Sequence, residues 1–213
     1  HDLGHLMRST GKTDQAIAEY IETRRISSAN KDTVMLGFVN MNLGHVYFSL
    51  NNLDSALLME EVAADIFIRN NAKTYLAIVY NITGQIYLKK NDHDLALKYF
   101  HKGIQTAKEQ SNLSNLSSLC TSLTEYFLHT EINKDSSLHY AKLNLALLIS
   151  MEAKELGDVY ADLAESYQLH QKLDSAYTYQ RLAFITSDSI HTVKVKNLTD
   201  FQNLTFDEQF KLQ

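Results

Sequence analysis

Apolar and polar positions along the chain fall into helical stretches separated by short polar turns, and the pattern returns every 40 residues. Gly4, Gly44 and Gly84 set the register, which continues to the small residues Thr124 and Ala164. A large side chain follows three residues later in each unit: Met7, Tyr47, Tyr87, Phe127 and Tyr167. The residue before is Leu3, Leu43, Thr83, Leu123 or Leu163. Twelve residues after the small residue comes Ala16, Ala56, Ala96 or Ala176; the fourth unit places Ser137 one residue later.

A repeat of this length predicts a solenoid of helical hairpins. The small residue of each first helix lets the second helix approach, the aromatic one turn later fills the space beside the contact, and the later Ala is its small partner. First helices are predicted at 33–50, 73–90, 113–131 and 153–170, and second helices at 14–29, 54–70, 94–109, 135–150 and 174–189. The units are 1–30, 31–71, 72–111, 112–151 and 152–189, and residues 190–213 depart from the repeat. Asp14, Asp54, Asp94, Asp135 and Asp174 open the second helices, where a carboxylate suits unpaired backbone N–H groups and the positive end of the dipole. In the turns before them, Gly11, Asn51, Asn91 and Asn133 tolerate a left-handed backbone. Polar stretches near Ser27, Asn70 and Gln110 break the units; between the fourth and fifth, Ser150 alone marks the boundary.

Composition agrees with an all-helical chain. The 213 residues include no proline and seven glycines, so obligatory helix breaks are few. The single cysteine, Cys120, excludes an internal disulfide framework and a four-thiolate zinc site. No apolar run reaches the roughly 18 residues of a membrane span. The chain opens on His1 rather than Met, so it reads as a piece of a longer protein. The net charge of −5 lies wholly in residues 111–213, a balance opposed to phosphate binding, and nucleic acid is not an expected partner.

The segments around Leu3, "LGHVY", "TGQIY", "LTEYF" and "LAESY", each with its later Ala or Ser, resemble the tetratricopeptide repeat over residues 1–189. The resemblance implies an all-α, TPR-like right-handed α–α superhelix. Tyr20 and Phe100 stand at the family's later core position, with Glu60, Ala141 and Gln180 elsewhere. The family's Trp site holds Asn40, Tyr80, Cys120 and Tyr160, its closing Pro is absent, and the period of 40 exceeds the usual 34. The tail from His191 has apolar residues without one clean period. It reads as a capping helix over the last repeat, or as a connector resembling the segment that follows such repeats in bacterial membrane sensor kinases.

No nucleophile motif, HExxH or glycine-rich phosphate loop is present, and the segment is expected to be non-catalytic and without a cofactor. His1 and His5 have ligand spacing but do not complete a zinc site, and Asp92, His93 and Asp94 sit in a hairpin corner too short for a calcium loop. Of the Asn-x-Ser/Thr sequons, Asn81 falls mid-helix at a repeat-determined position, and those at Asn112, Asn115, Asn197 and Asn203 follow from an Asn-rich composition. The resemblance implies a concave groove lined by the first helices, with His5, His45, Gln85, Glu125 and Glu165 on one row. Met41, Asn81 and Thr121 stand a turn earlier, and Phe38 and Asp158 a further turn back. Such a groove takes a protein or peptide, and its carboxylate end suits a basic or amino-terminal group. The Lys, Asn and Arg set with which some family members grip chaperone C-termini is replaced here by Met41, Asn42, His45, Ile78 and Ile82. The expected role is the sensing or docking region of a larger bacterial signalling protein, on the periplasmic side with a membrane tether beyond Gln213. The alternative is a free cytosolic adaptor or peptide-responsive regulator.

Overall fold

A computed structural model describes residues 13–130 and 132–187, with the side chains of 13 and 14 excepted. The described residues form helices α1 (Thr13–Ala29), α2 (Thr33–Ser49), α3 (Leu53–Arg69), α4 (Leu76–Lys89), α5 (His93–Glu109), α6 (Leu113–Thr130), α7 (Lys134–Ser150), α8 (Gly157–Leu169) and α9 (173–187), with no strand among them. A 3-10 turn, Lys73–Tyr75, leads into α4. The chain divides into two compact units, His1–Leu123 and Thr124–Gln213. The first-repeat positions Gly4 and Met7, the turn residue Gly11 and the tail 190–213 lie outside the described residues.

Seven of the turns between helices are built the same way. Lys31, Asn51, Asn71, Asn91, Ser111, Glu152 and Gln171 have φ between 51° and 60°, one at nearly every twentieth residue. The next N–H then reaches back to the last turn of the helix, as in Asn52 N–H to Tyr47 O at 2.9 Å and Ala72 N–H to Phe67 O at 2.8 Å. This left-handed closure satisfies carbonyls that the helix end would otherwise leave unpaired. Asn51 and Asn91 take it as the sequence predicts. Asn133 does not: its φ is −148°, and it acts as an N-cap instead.

The opening aspartates are not the caps. Asn52, Asp92 and Asn133 accept from the N–H groups of Ser55, Leu95 and Ser136 at 3.3, 3.1 and 3.1 Å. Asp54, Asp94 and Asp135 sit in the first turn, where the dipole still favours them. Two of them reach a neighbouring hairpin: Lys90 Nζ donates to Asp54 at 2.6 Å, and His170 Nε2 lies 3.0 Å from Asp135. Both carboxylates are almost fully exposed, so solvent screens each pair and neither holds the hairpins together. The fifth unit also starts later than expected. Its first helix begins at Gly157, after Glu152 takes the left-handed closure and the chain runs on through Leu156.

The close contact between paired helices falls where the sequence places it. A Cβ added at Gly84 would lie 2.6 Å from the Phe100 ring, and a further close approach that the repeat register does not mark would put a Cβ at Gly37 2.6 Å from the Phe67 ring. Ala56, Ala96, Phe100 and Ser137 are fully buried. Beside this contact runs a second one. Tyr87 stacks on Tyr99 at 5.4 Å, Phe127 on Tyr140 at 6.0 Å and Tyr167 on Tyr179 at 5.5 Å, all within 11° of parallel. Such pairs contribute about 0.5–1.5 kcal/mol each beyond their burial.

One hairpin breaks the rule. Where the third hairpin packs Phe100 on Gly84, the second packs the carboxyl of Glu60 on Gly44, its Cδ 2.9 Å from where a Cβ would stand. Glu60 is completely buried and neither oxygen has a hydrogen-bond partner. Burial pushes its pKa well above the usual carboxylate range, so the neutral acid is the form the core accepts.

Gly84→Ala is expected to destabilise the chain by about 1–3 kcal/mol, since the Phe100 ring beneath it is fixed by its own burial; urea unfolding measures this, and an unchanged midpoint contradicts the contact. The native acid holds its proton more tightly than the unfolded one, so the contribution of Glu60 to stability is fully present below about pH 4.5, the unfolded value, and is lost progressively as pH rises toward the folded pKa. Glu60→Gln is expected to remove that slope; parallel pH profiles for the two proteins contradict a neutral, unpartnered Glu60.

Candidate functional site

Helix periodicity puts the predicted groove residues on the first helices, but packing divides them. In the first unit, Met41 is 7% exposed and belongs to the core cluster of Ala63, Phe67, Leu76 and Val79. Phe38 packs edge-on to Phe67 and Tyr75 with centroids 5.6 and 4.2 Å away. Asn81 is buried too. These three are wall rather than lining. His45, Gln85 and Thr121 are half-buried. Gln85 Nε2 donates to Ser122 Oγ at 2.9 Å, joining α4 to α6, and Thr121 Oγ1 donates to Ser117 O at 3.4 Å. His5 lies outside the described residues.

The second unit is different. Glu125 on α6 and Asp158 and Glu165 on α8 are all exposed, and they converge on a fourth carboxylate, Asp162. Asp162 stands one helical turn after Asp158 and is half-buried. Burial, with the charges of Glu125, Asp158 and Glu165, pushes its pKa from 3.8 to about 7. Glu125 is shifted upward as well, by burial and by Asp158, against the opposing pull of His129. Four carboxylates on one face thus share fewer than four charges at neutral pH, a cost that an incoming cation removes.

The sequence reading identifies Glu125, Asp158 and Glu165 and misses Asp162. Its row in the earlier repeats holds Asn42, Ile82 and Ser122, none acidic. The signal available was the i, i+4 spacing from Asp158 and the i, i+3 spacing to Glu165.

Among the described residues no group of three or more His, Cys, Asp or Glu side chains has the arrangement to hold a metal ion. Cys120 is fully buried at the Trp-equivalent position, and burial pushes its thiol to about 12, far from a reactive thiolate. Among the described residues no helix is long and apolar enough to cross a membrane.

Residues 77–110, the third hairpin from α4 to α5, match the tetratricopeptide repeat family. No curated protein sequence matches the chain. Solved structures do. BtubC (BKLC) from P. vanneervenii superposes with a TM-score of 0.75 over 89% of this chain and 78% of its own, at 17% identity. The apo form of RapI gives 0.64 over 89% and 67%, at 16% identity. A Rap protein complexed with Competence and Sporulation Factor gives 0.60 over 89% of this chain but 51% of its own, at 18% identity. These likenesses show the fold, which is all-α and TPR-like, a solenoid of helical hairpins, as the sequence predicts.

Because the folded pKa of Asp162 is raised, its charge appears only as pH rises through about 7. Binding of a lysine-rich peptide to this face is therefore expected to strengthen from pH 6 to pH 8 and to release a proton. Asp162→Asn is expected to flatten that dependence. Calorimetry in buffers of different ionisation enthalpy checks it; equal affinity at both pH values in the native protein contradicts the cluster.

Proposed function

We propose that the chain is a protein-binding scaffold whose acidic face on α6 and α8 receives a basic or amino-terminal group of a protein or peptide. The observation that carries this reading is the convergence of Glu125, Asp158, Asp162 and Glu165 from two helices, with Asp162 pushed to about 7. Like charges held this closely are costly alone and favourable beside a cation. The net charge of −5 argues against a nucleic-acid partner. The segment acts by binding, as the sensing or docking region of a larger bacterial signalling protein tethered to a membrane beyond Gln213, on its periplasmic side.

A second reading, a free-standing adaptor or peptide-responsive regulator in the cytosol, is supported by the likeness to a Rap protein solved in complex with Competence and Sporulation Factor. Both readings use the same fold and differ in what the chain is joined to. Sequencing the gene beyond the Gln213 codon separates them: an apolar run of roughly 20 residues favours the tether, and a nearby stop favours the adaptor.

The acidic face has its own test. Glu125→Lys with Glu165→Lys, both exposed and therefore tolerated by the fold, is expected to weaken a lysine-rich peptide by tenfold or more, about 1.4 kcal/mol. Added salt is expected to weaken the native complex in the same way. Unchanged affinity in the double variant moves the site away from α6 and α8.

A further inference from the structure

The second and third hairpins fill the space over the small residue of their first helix. The Glu60 carboxyl lies over Gly44, and the Phe100 ring lies over Gly84. Both side chains are fully buried. In the last hairpin the same register places Ala164 on α8 and Gln180 on α9, and Gln180 is exposed. With Gln180 outside, Ala164 and Ala176 are only half-buried, whereas Ala56 and Ala96 are completely covered.

The result is a cleft of about 610 Å³ within the second compact unit. Ligand sites commonly have volumes of about 300–1,000 Å³. Ala161, Ala164, Ala176 and Ala183 make its lining apolar, and Gln168 and Gln180 add amides to it. Glu165 lines it as well, and the same carboxylate belongs to the acidic face with Glu125, Asp158 and Asp162. On α8, Ala161 stands one turn before Glu165 and Gln168 one turn after. The acid therefore sits between apolar lining and an amide that both donates and accepts. Lys134, from the start of α7, also lines the cleft.

We propose that this cleft takes the amino terminus of a peptide whose first residue is large and apolar, such as Phe or Leu. The inference rests on the reading of the acidic face as a cation site and narrows it. An α-ammonium and the first side chain leave the same carbon, so the charge meets Glu165 while the side chain enters the alanine-lined space beside it. A lysine carries its ammonium at the tip of a thin flexible stem, and nothing beyond that tip fills the cleft. Lys134 selects in the same direction: one cation at Glu165 is compatible with it, and a run of cations within the cleft is repelled. The amides of Gln168 and Gln180 suit the peptide groups that follow, which need both donors and acceptors. A wholly apolar occupant would strip water from Glu165 without supplying a counter-charge, a cost that an ammonium removes.

Calorimetric titration of the full chain with four short peptides, each amidated at its C-terminus, tests this. They are Phe-Ala-Gly-Ser, its N-acetylated form, Ala-Ala-Gly-Ser and N-acetyl-Ala-Lys-Gly-Ser. The first is expected to bind roughly tenfold or more tighter than each of the others, since it alone supplies both the charge and the apolar bulk. Ala161→Leu, at an exposed position of the cleft lining, is expected to abolish the preference for Phe over Ala at the first residue. Equal affinity for the acetylated Phe peptide overturns the proposal and assigns the cleft to an apolar segment without an amine. Equal affinity for the acetylated Lys peptide also overturns it, while the reading of the face as a cation site stands. So does absence of binding by the Phe-first peptide. In that case a lysine-rich peptide that still binds confines the failure to the cleft, and one that does not removes the cation site as well.

Discussion

The closest approach of paired helices, at small residues of the first helix, is the contact on which the rest of the fold depends. Gly84 lies against the Phe100 ring and Gly37 against the Phe67 ring, with no room for a methyl group. That distance fixes where the aromatic one turn later must go, and Tyr87, Phe127 and Tyr167 each meet a tyrosine of the second helix almost face to face. The left-handed closure of every described turn but one then spaces the turns about 20 residues apart, so the next contact falls in the same register. Close packing, stacking and turn closure reinforce one another, and none requires proline or a glycine turn.

Glu60 shows how far that packing tolerates exceptions. A carboxyl occupies a site that is aromatic in the next hairpin, and it does so without a partner. The cost of ionising it there makes the stability of this hairpin sensitive to pH. On α6 and α8 carboxylates are again held above their usual range, but at a surface that a partner can reach. The two cases share a cause, desolvation, and differ in accessibility: only the second has a use for an incoming cation.

The repeat was legible because small and large side chains alternate with the period of the contact itself. Helix ends were less so. Asp54 and Asp135 stand two residues inside the caps Asn52 and Asn133, and composition alone does not separate a capping residue from one in the first turn. The groove rows were legible only in part, since periodicity gives the angle of a side chain and not what covers it. Met41 and Phe38 share their angle with surface residues elsewhere, yet the neighbouring helices α3 and α4 bury them. Asp162 was missed because its significance lies in three carboxylates from two helices, a convergence that one helix's spacing does not display.

The most direct test of the acidic face is nuclear magnetic resonance of the side-chain carboxyl carbons during titration with a lysine-rich peptide. The account predicts the largest shifts at Glu125, Asp158, Asp162 and Glu165, with Asp162 moving toward the ionised position at pH 7. Shifts spread evenly over the surface carboxylates, or the same response to a peptide of opposite charge, would contradict it.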